Sequence, residues 1–263
     1  MANDSTDPSE DYSRLAYRRF VAWPARIQRE GPLLRRILER APDRSVLDLG
    51  CATGEHSRFL ASLGLRVVGV DVSAESLRTA RESPSPESVR YVEGDLRNLG
   101  SLVSPGFGGA ICLGNTLVHL VEEDDLAQAL EGLAAVLNEG GVFLFQILNY
   151  ERLRGKGIRH LPLNFLDEPD GVRVFLRLMD FLPQGRVRFC PSTLRLRPQE
   201  ERPLEVLETR SLELRAWGLD ELRGLLHRAG FAVTDVLGAM SGQPFVVAES
   251  TDLIVVAERR RKS

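Results

Sequence analysis

The chemistry in this sequence is concentrated in two acids and the turn between them. Asp48 lies near the end of the apolar run Val46-Leu47-Asp48-Leu49, which breaks into Gly50-Cys51-Ala52-Thr53-Gly54 and then opens a helix at Glu55-His56-Ser57. A strand that ends in residues with almost no side chain lets a ligand approach the backbone. The run therefore reads as a nucleotide-binding loop. A second strand, Arg66-Val67-Val68-Gly69-Val70, ends in the other acid, Asp71. Each residue also has a plainer use: Gly50 and Gly54 can serve tight strand-helix packing, Asp71 can cap a helix ahead of Ser73, and Asp95 and Asn115 can punctuate turns.

Two cofactor classes use a strand, a glycine loop and an acid after the next strand. The dinucleotide fingerprint requires G-x-G-x-x-G so that a helix N-terminus meets a pyrophosphate. This chain reads G-x-A-x-G, with Glu55, His56 and Ser57 where the third glycine is expected. An acid inside the loop region suits a cationic ligand better than a pyrophosphate. The run Asp48-Leu49-Gly50-Cys51-Ala52-Thr53-Gly54 resembles motif I of the class I S-adenosylmethionine (SAM) dependent methyltransferases.

The elements that must position these residues alternate along the chain. A helical segment over 31–40 precedes strand 45–49, helix 55–63, strand 66–70 and a helix with Ser73 as N-cap; strands 89–92, 110–113 and 141–147 follow, with a helix over 124–137. Five parallel strands with helical crossovers predict an α/β doubly wound sheet with ligands at the carboxyl ends of its strands. From 171 to 217 apolar and polar residues alternate, predicting an inserted antiparallel β layer with a turn at Pro183-Gln184-Gly185. A helix over 219–229 and strands 231–237 and 252–257 complete the chain, giving a seven-stranded, mostly parallel sheet with a terminal hairpin.

Composition narrows the function. With 263 residues and 43% hydrophobic content, the chain can bury one large core, so a single domain over 1–263 is expected. The net charge of −3 argues against broad capture of nucleic acid. Lys156 and Lys262 are its only lysines, which leaves little room for Schiff-base or P-loop chemistry. Cys51, Cys112 and Cys190 read as reduced thiols, not as a disulfide or zinc set, and no metal is expected. No apolar run approaches the roughly 18 residues that span a bilayer, and 1–11 is acidic and polar. A cytoplasmic protein with no membrane partner and a disordered 1–11 segment is expected.

Three further stretches sharpen the resemblance. Trp23-Pro24-Ala25-Arg26 followed by Glu30-Gly31, the run Ile111-Cys112-Leu113-Gly114-Asn115-Thr116-Leu117-Val118-His119-Leu120, and Asn149-Tyr150 are each similar to segments of the glycine and sarcosine N-methyltransferases. The resemblance implies SAM as cofactor and a small-molecule acceptor, most readily an amine nitrogen. O-methylation, a nucleic-acid methyltransferase and a non-catalytic SAM-binding protein are the alternatives. It implies that 12–44 forms a helical cap, with Trp23 and Arg26 closing over the methionine end. Asp48, Gly50, Cys51, Ala52 and Gly54 would form the loop beneath; Asp71 and Val72 would meet the ribose; Asp95 and Leu96 would edge the adenine. Leu113, Asn115 and His119 would stand between cofactor and acceptor, with Asn115 and His119 in catalytic roles. Tyr12, Leu148 and Tyr150 would line the acceptor site. In the glycine and sarcosine enzymes an Arg before Asn-Tyr grips the substrate carboxylate; here that position is Leu148, so a less anionic or larger acceptor is implied. Arg152, Arg154 and Arg159 follow in a stretch that could replace it, and His160 is a second candidate base.

Overall fold

The structure, a computed structural model, describes residues 21–261. Tyr12, the 1–11 segment and the first part of the expected cap lie outside the described residues.

The first described helix, α1 (Trp23–Leu38), begins at Trp23 and not at residue 31, with Pro24 in its first turn and Pro32 inside it. Pro in the first turn forfeits no helical hydrogen bond. Pro32 does remove one, and that penalty masked the helix in the sequence; burial of Leu33, Leu34, Ile37 and Leu38 offsets it. The α/β rhythm then runs β1 (Ser45–Leu49), α2 (Glu55–Ser62), β2 (Arg66–Asp71), α3 (Ala74–Glu82), β3 (Val89–Glu93), α4 (Leu99–Leu102), β4 (Phe107–Cys112), α5 (Glu123–Val136), β5 (Leu137–Leu148) and α6 (Tyr150–Gly155). Ser73 caps α3 as its sequence predicts, its hydroxyl accepting from the Ser76 N–H at 3.2 Å.

A second group of strands follows: β6 (Asn164–Glu168), β7 (Gly171–Phe181), β8 (Arg186–Leu196), β9 (Leu204–Thr209) and β10 (Leu212–Arg215). They pair antiparallel in the order β10-β8-β7-β6, with β9 also on β8. The layer therefore starts at Asn164, ahead of the alternating pattern that marked it from 171. Helix α7 (Leu219–Arg228) leads into β11 (Phe231–Leu237) and β12 (Asp252–Arg259).

The main sheet has the order β11-β12-β5-β4-β1-β2-β3. β1 to β5 are parallel, and β12 runs antiparallel between β5 and β11. β1 and β4 are buried throughout, as central parallel strands covered on both faces must be. Strand alternation sorts the core into two faces. Phe143, Phe145 and Ile147 join Leu126, Leu130, Leu225 and Leu226 from α5 and α7 on one face. Val142 and Leu144 join Leu34, Ile37 and Leu60 from α1 and α2 on the other.

The antiparallel layer is fastened to the main sheet through the segment after β4. Met179, Phe189, Leu214 and Trp217 pack into the α5-side core. The Trp217 indole donates to the Leu120 carbonyl at 3.2 Å, and Arg186 pairs with Glu122 at 2.7 Å. This docking carries Phe189 and Leu214 to the carboxyl ends of the parallel strands.

Candidate functional site

At the end of β1 the chain folds across the end of β2. The Gly50 N–H donates to Val70 O at 2.8 Å, and the Ala52 N–H donates to Asp71 Oδ2 at 2.8 Å. The other Asp71 oxygen accepts the Ser73 N–H at 2.9 Å. Asp71 thus ties the glycine loop to the start of α3, with the Val72 N–H also directed at it, and its carboxylate keeps acceptor capacity for a ligand. Burial pushes its carboxyl above the ordinary value, against the backbone donors that favour the charge. Burial also raises Asp48, whose Oδ2 accepts the Ser57 hydroxyl at 2.6 Å.

Gly50, Ala52 and Gly54 all have positive φ, 69°, 46° and 80°. A Cβ at Gly50 would strike Thr116, and one at Gly54 would strike the Tyr91 hydroxyl. The glycines therefore answer to backbone shape and protein packing first. Gly50, Cys51, Ala52 and Thr53 line a cavity of about 380 Å³, and Gly54 is not among the residues lining it. Burial holds the Cys51 thiol well above its ordinary value, so it stays neutral.

Helix α1 supplies the opposite wall. Trp23 meets the His56 ring edge-on at 5.3 Å, and the Arg26 guanidinium lies 4.9 Å from the Trp23 ring centre. Between them is Glu30, only 5% exposed. Its Oε1 accepts from Arg26 Nε at 2.9 Å and its Oε2 bonds His56 Nε2 at 2.8 Å. Burial alone would raise this carboxyl, but the bonds and charges of His56 and Arg26 outweigh it and hold it below the ordinary range. The Trp23 indole nitrogen is buried with no acceptor among the described residues.

Val72, Leu96 and Leu113 complete the wall with Asp95. Asp95 is turned toward Arg97, accepting its backbone N–H at 2.8 Å and its Nε at 3.0 Å. Burial raises the Asp95 carboxyl, and Arg97 more than reverses this, leaving it below its ordinary value. The cavity is thus edged by four acids, Asp48, Asp71, Asp95 and Asp125, against Arg26 and Arg97. Such a lining repels a pyrophosphate and accommodates a sulfonium and ribose hydroxyls. With the orphaned indole donor, it fits SAM.

A second cavity of about 610 Å³ adjoins the first, and Arg26, Gly114 and His119 line both. Leu148 and Asn115 are on its wall, together with Leu161, Phe189, Leu214 and Met240. Asn115, at φ 70°, is braced: its Oδ1 accepts the Leu148 N–H at 2.9 Å and its Nδ2 donates to the Tyr150 hydroxyl at 2.8 Å. Tyr150 is itself buried behind that wall, lines neither cavity, and has its phenol pushed up by burial.

None of Arg152, Arg154, Arg159 and His160 lines either cavity. Arg159 pairs outward with Asp180 at 2.8 Å. The guanidinium from beyond β5 that does reach the second cavity is Arg177 of β7, which donates to Pro162 O at 2.8 Å and Asn164 Oδ1 at 2.7 Å. Sequence reasoning also missed Glu30, His56, Arg97, Gln146 and Asp252. Glu30 and His56 stood inside quoted motifs, so their spacing was available; the others are joined to the site only by tertiary pairing.

Residues 46–141 match a family model described as a methyltransferase domain. Over 139 residues the chain is 37% identical to a glycine/sarcosine N-methyltransferase of Parasynechococcus marenigrum, covering 51% of this chain and 49% of that protein. It is 28% identical over 225 residues to a cypemycin N-terminal methyltransferase of a Streptomyces species, covering 82% of this chain and 84% of the relative. The chain spans about half the length of the first curated relatives it matches. A solved SAM-dependent methyltransferase from Clostridium acetobutylicum superposes with a TM-score of 0.74 at 18% identity, covering 95% of this chain and 100% of its own. At that identity the likeness speaks for the fold, a seven-stranded Rossmann-like class I methyltransferase sheet with an added antiparallel layer.

Proposed function

We propose that this chain, whose residues 46–141 match a methyltransferase-domain model, is a SAM-dependent methyltransferase acting on an amine nitrogen of a small molecule. The observation that carries the reading is the junction of the two cavities at Arg26, Gly114 and His119. One cavity has the lining a cationic nucleoside needs; the other opens toward it at the carboxyl ends of the strands. The names of the two relatives, a glycine/sarcosine N-methyltransferase and a methyltransferase of a peptide N-terminus, support nitrogen over oxygen.

In this reading Trp23 and Arg26 close over the cofactor's amino-acid end, and Gly50 to Thr53 form its floor. Asp48 stands near its positive charge, Asp71 and Val72 hold the ribose, and Asp95, Leu96 and Leu113 flank the base. Bound there, SAM supplies a methyl group already activated on sulfur. The protein is left to align an acceptor and exclude water, which can supply effective molarities on the order of 10⁵ M. Asn115 acts by bracing the loop after β4 against β5. His119, on both walls, is positioned to take the proton a methylated amine releases.

Among the described residues no helix is long and apolar enough to cross a membrane. The net charge of −3 favours a small-molecule acceptor over nucleic acid. The free thiols of Cys51, Cys112 and Cys190 favour a cytoplasmic setting. Calorimetry with SAM, S-adenosylhomocysteine and NAD tests the cofactor assignment. Micromolar binding of the first two without NAD is expected; NAD binding, or no SAM binding, would overturn it.

A further inference from the structure

The acceptor cavity holds a carboxylate whose orientation is dictated from the backbone. The Gly114 N–H can only donate, and it donates to Gln146 Oε1 at 2.9 Å. That bond fixes which way the Gln146 amide points, so its Nε2 must donate onward, and it does so to Asp252 Oδ1 at 2.7 Å. The second Asp252 oxygen accepts the Thr251 hydroxyl at 3.2 Å. Each oxygen keeps a lone pair, and Asp252 lines the cavity.

Among the described residues no cation lies in ion-pair contact with this carboxylate, and the Arg29 charge acts on it only from a distance. The directly opposed neighbour of Asp252 on β5 is Leu148, whose side chain shares its face of the sheet and brings no charge. Of the other charged residues on the cavity wall, Glu30 and Arg26 pair with each other, and Arg29 is largely exposed at 3.5 Å from Glu30. Arg177 belongs to the antiparallel layer, and its Nε is buried without an acceptor among the described residues. The cavity therefore offers an acceptor-only group on the main-sheet wall and an under-satisfied donor on the β7 wall. Its volume of about 610 Å³ falls in the range of roughly 300–1,000 Å³ typical for drug-sized ligands.

We propose that Asp252 is the specificity-determining residue of the acceptor site, pairing with the amine of a polyhydroxylated amine whose oxygen-bearing end is held by Arg177 and Asn164. The assignment rests on the methyltransferase reading above.

The test is calorimetric titration of the S-adenosylhomocysteine complex with glucosamine and glucose. Wild-type protein should bind glucosamine at least about tenfold more tightly than glucose, the loss expected when a charge-assisted hydrogen bond is missing. Asp252→Asn should lose that preference with nucleoside affinity unchanged. Equal binding of glucosamine and glucose by the wild-type protein, absent glucosamine binding, or a preference retained in Asp252→Asn would each overturn the proposal. The glucose comparison needs no variant, so it holds even if Asp252→Asn misfolds. Wild-type protein that fails to bind S-adenosylhomocysteine would instead refute the cofactor reading.

Discussion

Replacing Glu30 with alanine should loosen helix α1 from the cofactor loop, and the size of the effect follows from its burial. The Glu30 side chain is 6% exposed, with Arg26 at 15% and His56 at 9%. Removing the carboxylate leaves the largely buried Arg26 guanidinium and His56 imidazole without the acceptor they share. Breaking a buried pair from one side costs about 3–5 kcal/mol. At roughly 2–4 °C per kcal/mol for a chain of this size, the melting temperature should fall by roughly 6–20 °C. Glu30→Gln keeps the shape and one acceptor and should lose less. The assay is thermal unfolding followed by circular dichroism, with SAM titrated into each variant below its transition. The folded-state value of Glu30 lies below its ordinary 4.5, so its stabilisation is complete above that pH and is lost as pH falls through the depressed value. The wild-type advantage over Glu30→Gln should therefore shrink in acid. A fall of less than about 2 °C for Glu30→Ala, or a constant advantage down to acid pH, would refute the reasoning.

Three further outcomes follow from the site. Asp71→Asn should weaken SAM binding at least about tenfold, the equivalent of one charge-assisted hydrogen bond; the asparagine is preferred to alanine because Asp71 also accepts from Ala52 and Ser73. Unchanged affinity by calorimetry would remove Asp71 from the ribose site. Gly54→Ala should destabilise by roughly 2–5 kcal/mol, from a left-handed backbone plus a clash with Tyr91, although Gly54 lines neither cavity; a melting temperature equal to wild type would contradict this. Asp48→Asn should raise the melting temperature at neutral pH, because burial disfavours the native charge. Burial raises the native carboxyl, so wild-type stability falls as pH rises through that raised value, and the variant should lack the decline. Its SAM affinity should fall at the same time, and a variant less stable than wild type at neutral pH would refute the sign.

The glycine loop, the two acids and the terminal hairpin were legible because each is local: strand periodicity, a break into small residues and an acid at a strand end lie within a few positions of one another. Ser73 was readable as a cap for the same reason. The extent of α1 was hidden by Pro32, whose penalty is local while the burial that offsets it is tertiary. Tyr150 sits two positions after the wall residue Leu148, yet its ring turns inward to brace Asn115. Arg177 and Asp252 reach one cavity from different sheets, and no spacing in the sequence announces a meeting made by strand pairing. His160 and Arg159 are close in sequence to the site but follow β7 outward.

The central claim is that the two cavities form one reaction path meeting at Gly114 and His119. The direct measurement is incubation of the protein with SAM carrying an isotopically labelled methyl group and a panel of amines and matched alcohols, read by mass spectrometry. Labelled methyl on an amine nitrogen, with stoichiometric S-adenosylhomocysteine, is the predicted result. Transfer to the alcohols alone, or SAM bound with no transfer to any member of the panel, would contradict it.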